Sequence, residues 1–591
     1  MQEEITPFQA VNSMLQNNSK EGISLPKRGT TMLLPAYDLT FYEFDQEKDP
    51  ENYGVFLCDV VHGKPAMKPL YIGIGWYWYH HGFRKGAETL YLPTTHGWET
   101  RFINGYPYFT TIKTTEAEAR EREPLFREKI KPFIEDFDGV WNPLKAELLE
   151  MYKKAKDSRG LKKWEDIRKL SNSDLLSFFL DFAYIINRKE AETHMIMMTA
   201  SYYISGLFQQ MWRELFGIEA SIDPTFSKLM AGFESQDIWV ARELWRLSRR
   251  AADLGLEQEF RSKEGEDLVK GLQNSENGAK WLNEYTAFLQ DHGWRCERMH
   301  AYDTPAWVEK PSLALGQIGM YMSEKVFPFD TNRDQVSKER EKAEKEILTR
   351  VPEGQREVFR VLMKPARKAG YWSEDHTYYC DFYVGALGRW IVTEFGRRFA
   401  EAGSIDDPED IHFLHPNEIR KAAIPMGRAN LRPYVEPRKK AWEENVKIDP
   451  APFYGDITQA QGVLRSDPTL SVATQIPIVR EELKADLYGA AAAPGLVEGV
   501  ARVITTADKL SEVKAGEILV APGTSAAWTV VFSVIKGLIT DGGGALSHPV
   551  IMAREYGIPC VAGCLEATAK IRTGQRVRVD GNRGVVYILW E

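Results

Sequence analysis

Residues 537–563 read GLITDGGGALSHPVIMAREYGIPCVAG, and their order decides how the end of the chain folds. The apolar GLIT reads as a buried strand. The three glycines that follow mark a turn where another group can come close to the backbone. Val550 to Tyr556 has the pattern of a short amphipathic helix, and Pro549 suits its first position, where no amide donor is needed. His548 therefore stands where a helix begins, beside free backbone N–H groups and the positive end of the helix dipole, both of which favour an anion on the imidazole. An imidazole that is largely unprotonated near neutral pH is a competent phosphoryl acceptor. A histidine that merely caps a helix beside a glycine turn satisfies the same pattern, so these residues alone leave both readings open. The Gly-x-Ser-x-Gly elbow of acyl-transfer enzymes is absent.

Outward from this stretch, GVARVITT, GEILVAP, RVRVDG and VVYILW alternate with glycine turns, so residues 487–591 are expected to form a compact α/β domain. Residues 436–486, entered through PYVEPRKKAW (433–442) and continuing through KIDPAPFYG, read as a linker and hinge. Between about Thr115 and Arg432 apolar residues recur at three- and four-residue spacing, as in NSDLLSFFLDFAYIINRKEAE, which predicts a large helical domain over 111–435. Residues 1–110 read as an α+β lead-in. TTMLLPA, YGVFLCDVV and PLYIGIGWYWY are expected as short β runs and RFINGYPYF as a strand. The fold class expected is multidomain α+β: a large helical acceptor-binding domain and a C-terminal α/β swivelling domain. No fixed-period repeat or low-complexity tract is present.

The 591 residues suffice for three to five domains at about 150 residues each. A net charge of −9 disfavours a nucleic-acid partner and leaves small molecules or proteins. No apolar run reaches the ~18 residues of a bilayer span, and MQEEITPFQAVNS lacks the features of a signal peptide, so no membrane partner and a cytoplasmic location are expected. The five cysteines are too scattered for a disulfide framework, and Cys560 and Cys564 read as core thiols.

The block TDGGGALSHPVIMAREYGIPCVAG, with AAAPGLVEGVARVI (491–504) and AGEILVAPGTSAAW (515–528) before it, resembles the swivelling phosphohistidine domain of the phosphoenolpyruvate-utilising enzymes. The resemblance implies that His548 carries the phosphoryl group and that Thr540, Gly543, Gly544, Ser547 and Arg554 support it. Arg554 reads equally as a helix-surface charge. Pro549 replaces the family's usual Ala. HGWRCERMHAYDTPAWVEKPSLAL (292–315) and GRRFAEAGSIDDPEDIHFLHPNEIRKAA (396–423) resemble segments of the acceptor domain of rifampin phosphotransferases. This second resemblance implies that about residues 110 to 435 form the acceptor-binding unit, and Arg295, Arg298, Asp303 and Tyr378 are the candidate substrate-binding residues within it. An ATP-grasp module is not found in the sequence, which implies that a separate ATP-grasp-type subunit binds ATP and charges His548. That division of labour is similar to phenylphosphate synthase, whose large subunit this chain resembles in length and order. The implied reaction converts phenol to phenylphosphate, and ATP to AMP and phosphate.

Aromatic clusters at 76–83, 95–109 and 370–383 are candidates for the walls of an aromatic acceptor's pocket, although large helical domains bury such residues routinely. His80, His81 and His96 in the first two read more readily as structural. In the third, Glu374, Asp375, His376 and Tyr378 share a helical stretch, and His376 is the candidate base for the acceptor hydroxyl. Arg295, Arg298 or Arg367 are candidates to neutralise phosphoryl charge. Mg²⁺ or Mn²⁺ is expected from phosphoryl-transfer chemistry, with no carboxylate pair marking its ligands. Antibiotic or sugar hydroxyls remain alternative acceptors. Pyruvate would call for a (β/α)₈ barrel, which the long helical periods oppose. A non-catalytic scaffold subunit would take up no phosphate at all.

Overall fold

A computed structural model describes residues 47–296, 298, 302–425, 429–456, 462, 467–473 and 477–589. The run TTMLLPA lies outside them. The chain adopts the expected multidomain α+β class: a small antiparallel sheet, a large helical body and a C-terminal α/β domain.

The first sheet has the order β2-β3-β1-β4, with β1 at Val55–Cys58, β2 at Thr95–Ile103, β3 at Tyr106–Lys113 and β4 at Phe453–Gly455. RFINGYPYF, expected as one strand, is the hairpin between β2 and β3. Asn104 and Gly105 both take positive φ (53° and 79°) at its two-residue turn, as a right-twisted hairpin requires. PLYIGIGWYWY, read as β, is helical instead: Pro69–Tyr71 leads through a π turn, Ile72–Trp76, into α1, Tyr77–Thr89. Packing overrides the β propensity of its aromatics. A Cβ on Gly82 would lie 2.4 Å from Met195 Cγ and one on Gly86 2.8 Å from the Met195 carbonyl, so the two glycines let α1 lie directly on α2, Asn187–Phe216.

Helix α2 runs through the centre of the body with most of its residues buried. The body also contains α3, Gln236–Asp253, and α4, Pro328–Arg350. Helix α5, Arg356–Thr377, continues through a π turn, Tyr378–Phe382, into α6, Tyr383–Glu401.

The segment read as a linker is bound to the body over much of its length. Helix α7, Arg432–Asn445, donates from Trp442 Nε1 to the Ala66 carbonyl at 2.8 Å. Tyr106 and Tyr108 hydroxyls donate to the carbonyls of Ile448 and Ala451, both at 2.9 Å. Strand β4 pairs with β1, and Trp98 Nε1 donates at 3.3 Å to Thr469 on α8, Pro468–Ala473. Aromatic anchors fasten these parts of it to the first sheet, and the residues just before the last domain are held to that domain, the Tyr587 hydroxyl donating to the Leu483 carbonyl and the Asp486 amide to the Val586 carbonyl, both at 3.1 Å.

That domain is an eight-stranded sheet in the order β5-β12-β11-β7-β8-β9-β10-β6. The strands are β5 Leu487–Tyr488, β6 Ala490–Ala493, β7 Leu496–Val503, β8 Ile518–Ala521, β9 Gly537–Thr540, β10 Cys560–Ala562, β11 Arg576–Asp580 and β12 Val585–Leu589. β7 to β10 are parallel, and β8, β9 and β10 are buried along their whole length, as covered parallel strands are. Between β9 and β10 runs α9, His548–Tyr556, which packs against the helical body. Glu555 accepts from the Gly232 and Phe233 amides at 2.8 and 3.0 Å, Ser373 Oγ donates to the Leu546 carbonyl at 3.1 Å, and Asn332 Nδ2 donates to the Tyr556 carbonyl at 2.9 Å. The domain is thus docked with the start of α9 facing α5. No described helix is long and apolar enough to cross a membrane.

Candidate active site

Strand β9 delivers the chain into the glycine turn, and α9 begins at its far side. Gly543 has φ +122°, and a Cβ there would lie 2.7 Å from Ser547 Oγ, so the position is closed to a side chain. Thr540 Oγ1 donates to the Gly542 carbonyl and Ser547 Oγ to the Gly544 carbonyl, both at 2.8 Å. These two hydroxyls brace the turn. Arg554 is not a surface charge: it is buried on α9, its Nε 3.7 Å from Glu555 Oε1, and it faces the seam with α4 rather than the cavity at His548.

His548 Nδ1 is hydrogen-bonded to Glu374 Oε1 on α5 and lies 3.8 Å from Asp237 Oδ2 on α3. Nε2 is buried with no hydrogen-bond partner. With Nδ1 engaged by a carboxylate, Nε2 is the nitrogen left to bond phosphorus. Burial pushes the Glu374 carboxyl up to about 7, with the Asp237 charge adding to the rise and the His548 charge opposing it. Asp237 is ion-paired with Arg295, and both are almost fully buried. Asp375, pushed up to about 6 by burial, accepts from the Gln236 amide at 2.7 Å and so fixes the start of α3.

Beside His548 is a cavity of about 130 Å³ between the first sheet, α2, α5 and the glycine turn. Tyr71, Trp76, Trp98, Phe109 and Tyr202 supply its aromatic walls, so the first two aromatic clusters contribute rings, whereas 370–383 contributes Ser373, Glu374, His376, Thr377 and Asp381 but no tyrosine, tryptophan or phenylalanine. Trp98 and Phe109 stack at 4.9 Å between ring centres. Asp59 and His62, hydrogen-bonded at 2.8 Å, also line it.

The remaining candidates divide. Arg295 reaches the imidazole through Asp237. His376 lines the cavity, but burial beside the His194 imidazole pushes it down to about 3, which makes it a weak base at neutral pH. Arg298 and Asp303 lie outside the cavity, paired at 3.3 Å, with Lys68 3.1 Å from Asp303, in a bridge that ties the body to the N-terminal layer. The Tyr378 hydroxyl is spent on the Asp291 carbonyl and His292, and Arg367 on the Leu229 carbonyl. His80, His81 and His96 contact Thr100, Glu192 and Glu88. Cys560 and Cys564 are buried free thiols. Sequence reasoning missed Asp237. It follows a helix-capping serine, Ser235, in a stretch that carries no motif.

The family model for the PEP-utilising enzyme mobile domain matches residues 513–584. That stretch, which falls within the C-terminal domain described above, is similar to the mobile domain of the phosphoenolpyruvate-utilising enzymes. A second model, the rifampicin phosphotransferase fourth domain, matches residues 193–374, which contain most of α2, all of α3 and most of α5, and so Glu374 and Asp237. An uncharacterized phosphotransferase of Bacillus subtilis is 28% identical over 404 residues, 67% of this chain and 47% of that protein. A rifampicin phosphotransferase of a Streptomyces species is 30% identical over 336 residues, 55% of this chain and 36% of the relative. The phosphoenolpyruvate synthase of Pyrococcus furiosus is 40% identical over 227 residues, 35% of this chain and 27% of the relative. The chain spans less than half the length of each.

Proposed function

We propose that this chain is a phosphotransferase that carries a phosphoryl group on His548 Nε2 and passes it to a small aromatic alcohol, with phenol giving phenylphosphate as the leading case. The observation that carries the reading is the His548 imidazole, held at Nδ1 by Glu374, on the lining of an aromatic-walled cavity of about 130 Å³. An apolar cavity of about 150 Å³ accepts one benzene ring, so the size supports a single-ring acceptor over a multi-ring antibiotic.

Transfer through histidine divides one displacement into two. The imidazole first takes the phosphoryl group, and the acceptor oxygen then attacks phosphorus as the P–N bond breaks. Glu374, titrating near neutrality, shares a proton with Nδ1, fixes the tautomer and makes the imidazole a better leaving group when that proton is present. We assign the charging step to ATP bound on a separate ATP-grasp-type partner. The mobile domain then swings on residues 477–486 between that partner and the docked position. Asp237 Oδ2, buried without a hydrogen-bond partner, and Glu374 are oxygen donors suited to Mg²⁺ or Mn²⁺, which would neutralise phosphoryl charge beside His548.

The second half-reaction is testable without the partner. Incubated with phenylphosphate, Mg²⁺ and labelled phenol, the chain should move label into phenylphosphate, and His548→Ala should not. Exchange with a sugar or rifamycin pair but not with phenol would overturn the acceptor assignment, and exchange by the His548→Ala protein would overturn the carrier.

A further inference from the structure

The cavity beside His548 carries a second group of ligating side chains that the transfer scheme does not use. His194 comes from α2, His376 from the end of α5 and Asp381 from the π turn that follows, and all three line the cavity. One donor atom from each lies within 4.8 Å of the other two. His194 Nδ1 is 3.5 Å from Asp381 Oδ1, and His376 Nε2 is 3.5 Å from Asp381 Oδ2. Such separations exceed an ordinary hydrogen bond. They are close to the roughly 3.4 Å spacing between ligand atoms on an ion with bonds of about 2.1 Å, each imidazole facing a different oxygen of the one carboxylate.

The backbone supports this arrangement. Five residues along a regular α-helix turn a side chain about 140° away from its starting direction, so Asp381 would face away from His376. The π turn over Tyr378–Phe382 takes up the extra rotation and returns both side chains to one cavity. Single π turns in helices recur at functional sites. The two imidazoles stand 4.5 Å apart between ring centres, buried, and Glu190 Oε1, 3.0 Å from the same His194 Nδ1, would give up that hydrogen bond when the nitrogen ligates an ion. Side-by-side buried imidazoles are unfavourable as cations and suited to sharing an ion as neutral ligands.

We propose that His194, His376 and Asp381 form a binding site for a divalent transition-metal ion, open on the cavity side. Two imidazoles and one carboxylate select zinc- or iron-type ions, in contrast to the oxygen donors Asp237 and Glu374 that suit Mg²⁺. An ion there would polarise the acceptor hydroxyl. The hydroxyl proton then passes to solvent, the oxygen attacks phosphorus, the P–N bond breaks, and the His548 imidazole keeps the electron pair. This use of the site rests on the transfer reading, whereas binding of the ion does not.

The test is a Co²⁺ titration of the chelator-stripped full chain, followed by visible d–d absorption. One ion per chain with an intense, low-coordination band is expected. Asp381→Asn, which keeps the side chain's shape, and His376→Gln should each weaken binding at least about tenfold. His548→Ala and Glu374→Gln should bind as the wild type does, even if the transfer reading fails. Absence of a band from the wild-type chain would overturn the site. So would loss of the band in His548→Ala with retention in Asp381→Asn, because the ion would then sit at the Asp237 group.

Discussion

At the scale of single residues the account turns on what holds the imidazole. Glu374 is buried, and its carboxyl is raised from 4.5 to about 7. The docked state therefore binds a proton more tightly than the exposed carboxyl does, and it loses stability as pH rises across the window from 4.5 to about 7. The same proton assists departure of the imidazole. Transfer from phosphorylated His548 to the acceptor is accordingly expected to slow as pH rises through about 7. Glu374→Gln should abolish that limb and lower the rate by about 10²-fold or more, as single-turnover measurements across pH would show. Asp237 is a different case. Its partner Arg295 is 1% exposed, so Asp237→Asn leaves a buried guanidinium uncompensated and should cost about 3–5 kcal/mol in urea denaturation. A cost near zero would mean that the pair contributes little to the body.

At the scale of elements the glycine turn and the π turn place the chemistry. Gly543→Ala puts a methyl group at φ +122° against Ser547 and should destabilise the mobile domain by about 1–3 kcal/mol in thermal unfolding, with a matching fall in transfer. The glycine turn and its histidine were legible in the sequence because glycine, proline and strand periodicity each act locally. The helical body was legible for the same reason. The stretch from Pro69 to Tyr79 was misread because Gly82 and Gly86, which fasten its continuation to α2, act through a partner helix over a hundred residues away. Asp237 and the π turn were equally invisible. An aspartate near a helix start and one extra residue in a helical period acquire meaning only when α2, α3 and α5 come together.

At the scale of the whole molecule the structure holds the C-terminal domain docked on the helical body, and the proposed charging by a separate chain would require it to leave. Within the stretch read as a linker, Ile448, Ala451 and Thr469 are bound by tyrosines and a tryptophan of the first sheet, and Trp442 binds Ala66. The hinge proposed at 477–486 is short, so the domain should move as a unit. A Cβ on Gly557 would lie 3.8 Å from Asn332 Cβ across the docking seam, the mean Cβ–Cβ distance of a disulfide. The double variant Asn332→Cys, Gly557→Cys, when oxidised, should keep phenol–phenylphosphate exchange and lose nucleotide-dependent charging, with reduction restoring it. Charging that persists in the oxidised protein would show that the domain need not swing.

The central claim is a covalent one, and peptide mapping tests it directly. After incubation with phenylphosphate, digestion at alkaline pH and mass spectrometry should locate a single acid-labile phosphoryl group on the peptide that contains His548, absent from the His548→Ala chain. A phosphoryl group on any other residue, or none on the wild-type chain while phenol exchange proceeds, would contradict the account.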